Sequence, residues 1–144
     1  MNSSLTVTRP AYIRLVRASA WYDLAITTGF ATPWTFALVH EVLSSMSEGL
    51  GLGAMPPLNP MTTLYATLMG SVVVVWSLLR IVRTQRVHGL FDGVTRMLFT
   101  AWMAYALVQG APQIVWGFLV VEVAWGVLQL APWLRARIAA GESA

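Results

Sequence analysis

Residues 61–81 read MTTLYATLMGSVVVVWSLLRI, and this stretch decides the fold class because its only charged residue, Arg80, stands next to its end. A helix rises ~1.5 Å per residue, so the stretch can cross a hydrocarbon core of ~30 Å. Asn59-Pro60 precedes it. Asparagine can cap the free N–H groups of a helix, and proline at the first helical position loses no hydrogen bond. The stretch therefore predicts a membrane-spanning helix.

Three further apolar segments flank this helix along the chain, at residues 18–43, 90–109 and 113–132. The segment at 90–109 is the weakest because Asp92 and Arg96 lie in its first turns. The whole chain is 57% hydrophobic and 10% charged, against roughly 45–50% and about 25% in soluble domains. We therefore expect an all-α integral membrane protein, with residues 1–144 forming one domain of four crossing helices.

The basic residues set the expected orientation. There are nine, all of them arginine: Arg9, Arg14, Arg17, Arg80, Arg83, Arg86, Arg96, Arg135 and Arg137. Four crossings place all of them on one side of the membrane. The outer loop 44–60 and the turn at 109–113 then hold none, whereas the inner loop 82–90 is arginine-rich. Because positive charge accumulates on the cytoplasmic side, both termini should be cytoplasmic.

The short connections predict an up-down-up-down four-helix bundle in which consecutive helices pair. The outer loop is rich in glycine and proline, so it should be irregular, with a short helical turn near residues 44–50. Pro33 should kink the first helix. The first residues and the tail after Arg137 should be disordered. A cleaved signal peptide is the alternative for the N-terminus, but its apolar region would be shorter and would lack Asp23.

Small residues mark the expected helix-packing faces: Ala66, Gly70 and Ser77 on the second helix, and Gly117 on the fourth. Membrane helices approach one another through such residues. We expect them to pack inside one monomer; a dedicated oligomerisation motif is the alternative.

Ionisable residues at membrane depth are candidate functional groups because an isolated charge there costs about 2.5–3.5 kcal/mol. Glu122, Asp23 and Arg96 qualify, and Arg96 is long enough to reach either acid, so we expect an interhelical cluster that Gln129 can join. The cluster is interpreted first as a structural polar network. The alternatives are that Glu122 binds a proton or ligand, or that it contacts a partner subunit.

Trp34 lies beside Pro33, and a kinked helix with an aromatic lining can bound a pocket. This predicts, as an alternative function, a binder or carrier of a lipid or quinone in a pocket near Trp34 and Glu122.

Residues that could bind a metal or a cofactor are few. The chain has no cysteine and only two histidines, His40 and His88, which fall on opposite sides of the membrane, so no metal and no cofactor is expected.

No catalytic motif is present, so we lean against an enzyme; a membrane enzyme acting on a hydrophobic substrate is the second alternative. The arginines form short clusters without interleaved aromatic residues, so no nucleic acid is expected. The leading hypothesis is an accessory or structural subunit of a larger membrane assembly. Its partners would be membrane lipids and other membrane subunits or a second copy. The helix layout resembles that of small bacterial membrane proteins of the DoxX-like kind, which implies only a bacterial inner-membrane location.

Overall fold

The computed structural model describes residues 10–142, and this part of the chain is entirely helical and irregular, without strands. Its five α-helices are α1 (Pro10–Thr27), α2 (Pro33–Gly49), α3 (Pro60–Val82), α4 (Arg86–Val108) and α5 (Val115–Gly141). A short 3-10 helix, Thr28–Phe30, lies between α1 and α2. The all-α prediction is confirmed. Two of these helices, α3 and α5, are long and apolar enough to cross a membrane; four crossings stay a prediction.

The predicted first helix is wrong in its form, because the chain breaks into two helices where a kink was expected. Thr32 is extended, with φ −134° and ψ 153°, as the residue before a proline tends to be. Its side chain accepts a hydrogen bond from the Thr35 backbone N–H at 3.2 Å, and Pro33 becomes the first residue of α2. Because α2 continues to Gly49, the predicted loop 44–60 shortens to 50–59.

The other boundaries differ less. The helix α3 matches the predicted 61–81 closely, and α4 begins four residues before Leu90, which reduces the inner link to residues 83–85. The helix α5 passes through Pro132 and ends at Gly141, so the prediction of a disordered tail after Arg137 is wrong up to that residue. The prediction for the first residues falls on 1–9, outside the described part of the chain.

Close approaches at glycine occur within two groups of helices, α1 to α3 and α4 with α5, and also between the groups, where Gly89 of α4 lies against Tyr12 and Val16 of α1. A Cβ atom on Gly70 of α3 would come within 2.5 Å of the Phe30 backbone carbonyl. On α4 and α5, the neighbours of Gly93 and Gly126 are Leu130 and Met97. The helix α3 packs mainly on α1, and α4 packs on α5. The predicted pairing of α3 with α4 is limited to side-chain contacts near the arginine end, such as those of Trp76 with His88 and Asp92, because the backbones of the two helices stay apart.

The two groups meet at one end of the molecule, which we call the arginine end: the start of α1, the link 83–85 and the last turns of α5. There α1 contacts both α4 and α5. At the opposite end, formed by residues 50–59 and 109–114, the Gln113 backbone N–H donates to the Leu52 carbonyl at 2.8 Å. Between these two junctions, α2 and α3 have at most marginal contacts with α4 and α5 within residues 10–142.

Candidate functional site

Five charged side chains from four helices meet toward the arginine end and form what we call the ionic cluster. Its members are Asp23 of α1, Arg80 of α3, Asp92 and Arg96 of α4, and Glu122 of α5. The helix α1 packs beside α3, and α4 packs beside α5. The charged side chains of these four helices extend into the same region between the two groups. The cluster is therefore the place where the two helical groups are joined.

Arg80 is fully buried and bridges two carboxylates. Its Nη2 atom lies 2.5 Å from Asp23 Oδ2, and its Nη1 atom lies 2.8 Å from Asp92 Oδ2. The guanidinium also lies over the Trp76 ring, 5.5 Å from the centroid. Such a cation–π contact adds to the ionic stabilisation of an arginine removed from water.

Arg96 bridges the same two carboxylates and reaches a third. Its Nη2 atom lies 2.6 Å from Asp23 Oδ1 and its Nε atom 3.1 Å from Asp92 Oδ2, while Nη1 lies 2.8 Å from Glu122 Oε2. The two aspartates and the two arginines thus form a closed ring of alternating charge. Glu122 stands outside this ring and has Arg96 as its ionic partner.

Neutral side chains also donate hydrogen bonds to the Asp92 carboxylate. Its Oδ2 atom accepts hydrogen bonds from Ser19 Oγ at 3.0 Å and from Gln129 Nε2 at 2.8 Å, and its Oδ1 atom accepts one from Trp76 Nε1 at 3.1 Å. Arg96 Nε also donates to Oδ2 at 3.1 Å, so four side chains donate hydrogen bonds to this carboxylate, and Arg80 adds an ion pair at 2.8 Å. These contacts hold the carboxylate in one orientation.

A hydrogen-bonded chain extends from the cluster toward the arginine end. The Trp133 indole N–H donates to the Tyr12 hydroxyl at 2.8 Å, and that hydroxyl donates to the Gln129 carbonyl at 2.9 Å. Tyr12 and Val16 form the buried apolar core next to it, with Trp133 packed against them. The start of α1 is thereby fixed on α5, and the Trp133 ring has a defined position.

The cluster contains three carboxylates and two guanidinium groups, so with all five ionised it carries one net negative charge. Glu122 is the most accessible carboxylate, with 17% of its side chain exposed, and it has the fewest partners. The excess charge is therefore localised at this edge of the cluster. Arg80 Nε and Gln129 Oε1 are buried without a hydrogen-bond partner among the described residues, and such buried groups reduce the free energy of unfolding.

The structure brings together four of the five residues proposed for the polar site: Asp23, Arg96, Glu122 and Gln129. It does not bring Trp34 to them. Trp34 is 77% exposed on α2 and makes no hydrogen bond or ring contact with the cluster among the described residues. The proposed pocket near Trp34 and Glu122 therefore lacks its aromatic wall.

Sequence reasoning missed Arg80 and Asp92 as cluster members. Arg80 was counted with the arginines that flank the membrane, and Asp92 was treated as a weakness of its helix. A signal was available: Asp92 and Arg96 are spaced i, i+4 and so share a helix face, and Arg80 falls inside the last turn of α3.

The predicted packing residues divide into two sets. Gly70 contacts Phe30, and Ser77 is buried beside Arg80, 3.4 Å from its Nη2 atom; Ala66 is half-buried. Gly117, in contrast, is exposed, and a Cβ atom added there would meet nothing within 4 Å. The surface of α5 at Gly117 thus remains open.

Within residues 10–142, no group of three histidine, cysteine or acidic residues has a geometry that could hold a metal ion. Comparison of the chain with protein-family models, with curated proteins and with solved structures finds no match.

Proposed function

We propose that this protein is a multi-pass protein of the bacterial inner membrane and serves as an accessory or structural subunit of a larger membrane assembly. In this proposal α1 with α2 forms the first crossing, α3, α4 and α5 form the other three, and the arginine end is cytoplasmic. The apolar lengths of α3 and α5 support the membrane location. The many exposed large apolar side chains, from Trp21 to Ile138, also fit a lipid environment.

The observation that carries the subunit role is the uneven packing along the molecule. Near the arginine end, the ionic cluster pairs every charged group that it contains. Between this cluster and the junction of Leu52 with Gln113, the α4–α5 pair has at most marginal contacts with α2 and α3, and Gly117 on α5 faces open space. Helices in lipid associate through such small residues because the backbones can approach closely. A helix of another subunit, or of a second copy, fits this face.

The test is Gly117→Leu, which fills the open face without touching a neighbour inside the monomer. Ala101→Leu, on the exposed surface of α4, is the matched control. We expect the wild type and Ala101→Leu to migrate as a complex larger than the monomer after extraction in mild detergent, and Gly117→Leu to migrate as a smaller species. A wild type that is strictly monomeric, or a Gly117→Leu complex of unchanged size, would contradict the proposal.

A second candidate function is proton transfer by Glu122, as in a membrane enzyme acting on a hydrophobic substrate. The uneven charge count supports it, because a proton on Glu122 makes the cluster neutral. No observation favours the lipid or quinone pocket at Trp34, since that side chain lies on the outside of α2. Glu122→Gln distinguishes the candidates: a correctly folded variant with full cellular function would exclude a proton-transfer role.

A further inference from the structure

A groove between α4 and α5 at the arginine end combines an apolar floor with two arginines at one mouth. Its volume is about 590 Å³. The α4 wall consists of Arg86, Leu90 and Val94, and the α5 wall includes Leu130, Leu134 and Arg137. The other lining residues are Trp133, Ala136 and Ala140.

The helical spacing orders each wall in the same way. Arg86, Leu90 and Val94 follow i, i+4 and i+8, so they lie on one face of α4 and span about 12 Å at the helical rise. Since α5 runs antiparallel to α4, Arg137 lies at the same end of the groove as Arg86. Two guanidinium groups thus face one mouth, and apolar side chains continue from them toward the middle of the molecule.

Both arginines of the groove are exposed, and neither forms a salt bridge among the described residues. The lining holds no carboxylate. The wall is also preorganised, because the Trp133 indole N–H is bound to the Tyr12 hydroxyl at 2.8 Å. Near the inner end, Gly93 lets α4 approach Leu130 of α5. A bound molecule therefore needs an anionic head for the mouth and an apolar chain for the floor.

We propose that this groove binds one anionic phospholipid, with its phosphate held between Arg86 and Arg137 and an acyl chain lying against Leu90, Val94 and Leu130. Guanidinium groups bind phosphate through paired hydrogen bonds, and basic pockets at the cytoplasmic membrane surface recognise lipid head groups in this way. The inference rests on the membrane location in the proposed function, but not on the subunit role.

The test uses the purified full-length protein in a neutral detergent and native mass spectrometry with phosphatidylglycerol and phosphatidylcholine. The double variant Arg86→Gln/Arg137→Gln removes the charge of the groove. Its matched control, Arg83→Gln/Arg135→Gln, removes the same charge from exposed positions at the same end. We expect the wild type and the control to bind more phosphatidylglycerol than phosphatidylcholine. In the groove variant, the ratio of bound phosphatidylglycerol to bound phosphatidylcholine should fall at least tenfold.

Equal losses in both double variants would overturn the proposal, because they would indicate unspecific attraction to the arginine end. So would the absence of any lipid preference in the wild type. Displacement of the lipid by millimolar inorganic phosphate would assign the site to the free anion instead. A monomeric protein that still binds one phosphatidylglycerol would contradict the subunit role while supporting the lipid site, so the two failures are distinguishable.

Discussion

Asp92 is the residue on which the ionic cluster depends most, because Arg96, Ser19, Trp76 and Gln129 donate hydrogen bonds to it and Arg80 forms an ion pair with it. In Asp92→Asn, an amide N–H group would face those donors, and Arg80 would keep Asp23 as its one carboxylate partner. We expect a loss of about 3–5 kcal/mol in the free energy of unfolding, as for other broken buried pairs. Unfolding of the detergent-solubilised variant measures it; a loss below about 1 kcal/mol would contradict the assigned geometry.

Glu122→Gln should behave differently although it removes the same charge. The remaining two carboxylates balance two guanidinium groups, and a glutamine oxygen can still accept a hydrogen bond from Arg96 Nη1. We therefore expect a loss of about 1 kcal/mol or less, measured in the same unfolding assay. If Glu122→Gln and Asp92→Asn were equally destabilising, the excess charge would not reside at Glu122.

Part of this cluster could be predicted from residue positions alone. A carboxylate and an arginine at bilayer depth must find partners, and this reasoning joined Asp23, Arg96 and Glu122. The position of Arg80 could not be predicted in the same way, because an arginine in the last turn of an apolar helix can extend to water or turn inward. Its inward orientation depends on α1 packing against α3 and so presenting Asp23, which no local pattern in α3 specifies.

At the level of the helices, Gly70 controls how closely α3 approaches the chain between α1 and α2. In Gly70→Leu, the new side chain would meet the Phe30 backbone, which cannot move aside as a flexible side chain could. We expect this overpacking to cost about 1–3 kcal/mol, measured as a lower thermal unfolding midpoint in detergent. Ala101→Leu, on the exposed surface of α4, is the control and should leave the midpoint unchanged; equal effects of the two variants would argue against this packing.

The break between α1 and α2 could not be predicted from the local sequence. Apolar continuity over residues 18–43 favoured one long helix, and Pro33 was assigned a kink. Proline is equally well accommodated in the first turn of a new helix, and the Thr32 side chain caps that turn. The sequence TPWT contains both signals, but the choice between kink and restart depends on tertiary contacts, such as that between Ser71 Oγ and the Ala31 carbonyl at 3.4 Å.

For the whole molecule, composition was sufficient to predict an all-helical chain, and the antiparallel α4–α5 pair followed from its tight turn. The helix that packs against α3 could not be predicted in the same way, because a short link allows two helices to pair but does not require it. The arginine distribution remains the main argument for four crossings, since α4 carries Arg86, Asp92 and Arg96 and, among the helices of residues 10–142, only α3 and α5 are apolar enough by themselves. In this account, pairing within the ionic cluster lowers the cost of placing those charges in a membrane.

The most direct test of the four-crossing account is the accessibility of single cysteines, since the natural chain has none. Gln85→Cys and Glu142→Cys mark the arginine end, and Ala54→Cys and Gln109→Cys mark the opposite end; all four positions are exposed. With a membrane-impermeant maleimide, we predict labelling of Ala54→Cys and Gln109→Cys in intact cells, and of the other two only after permeabilisation. Different accessibility of Gln85→Cys and Glu142→Cys, or of Ala54→Cys and Gln109→Cys, would contradict the account.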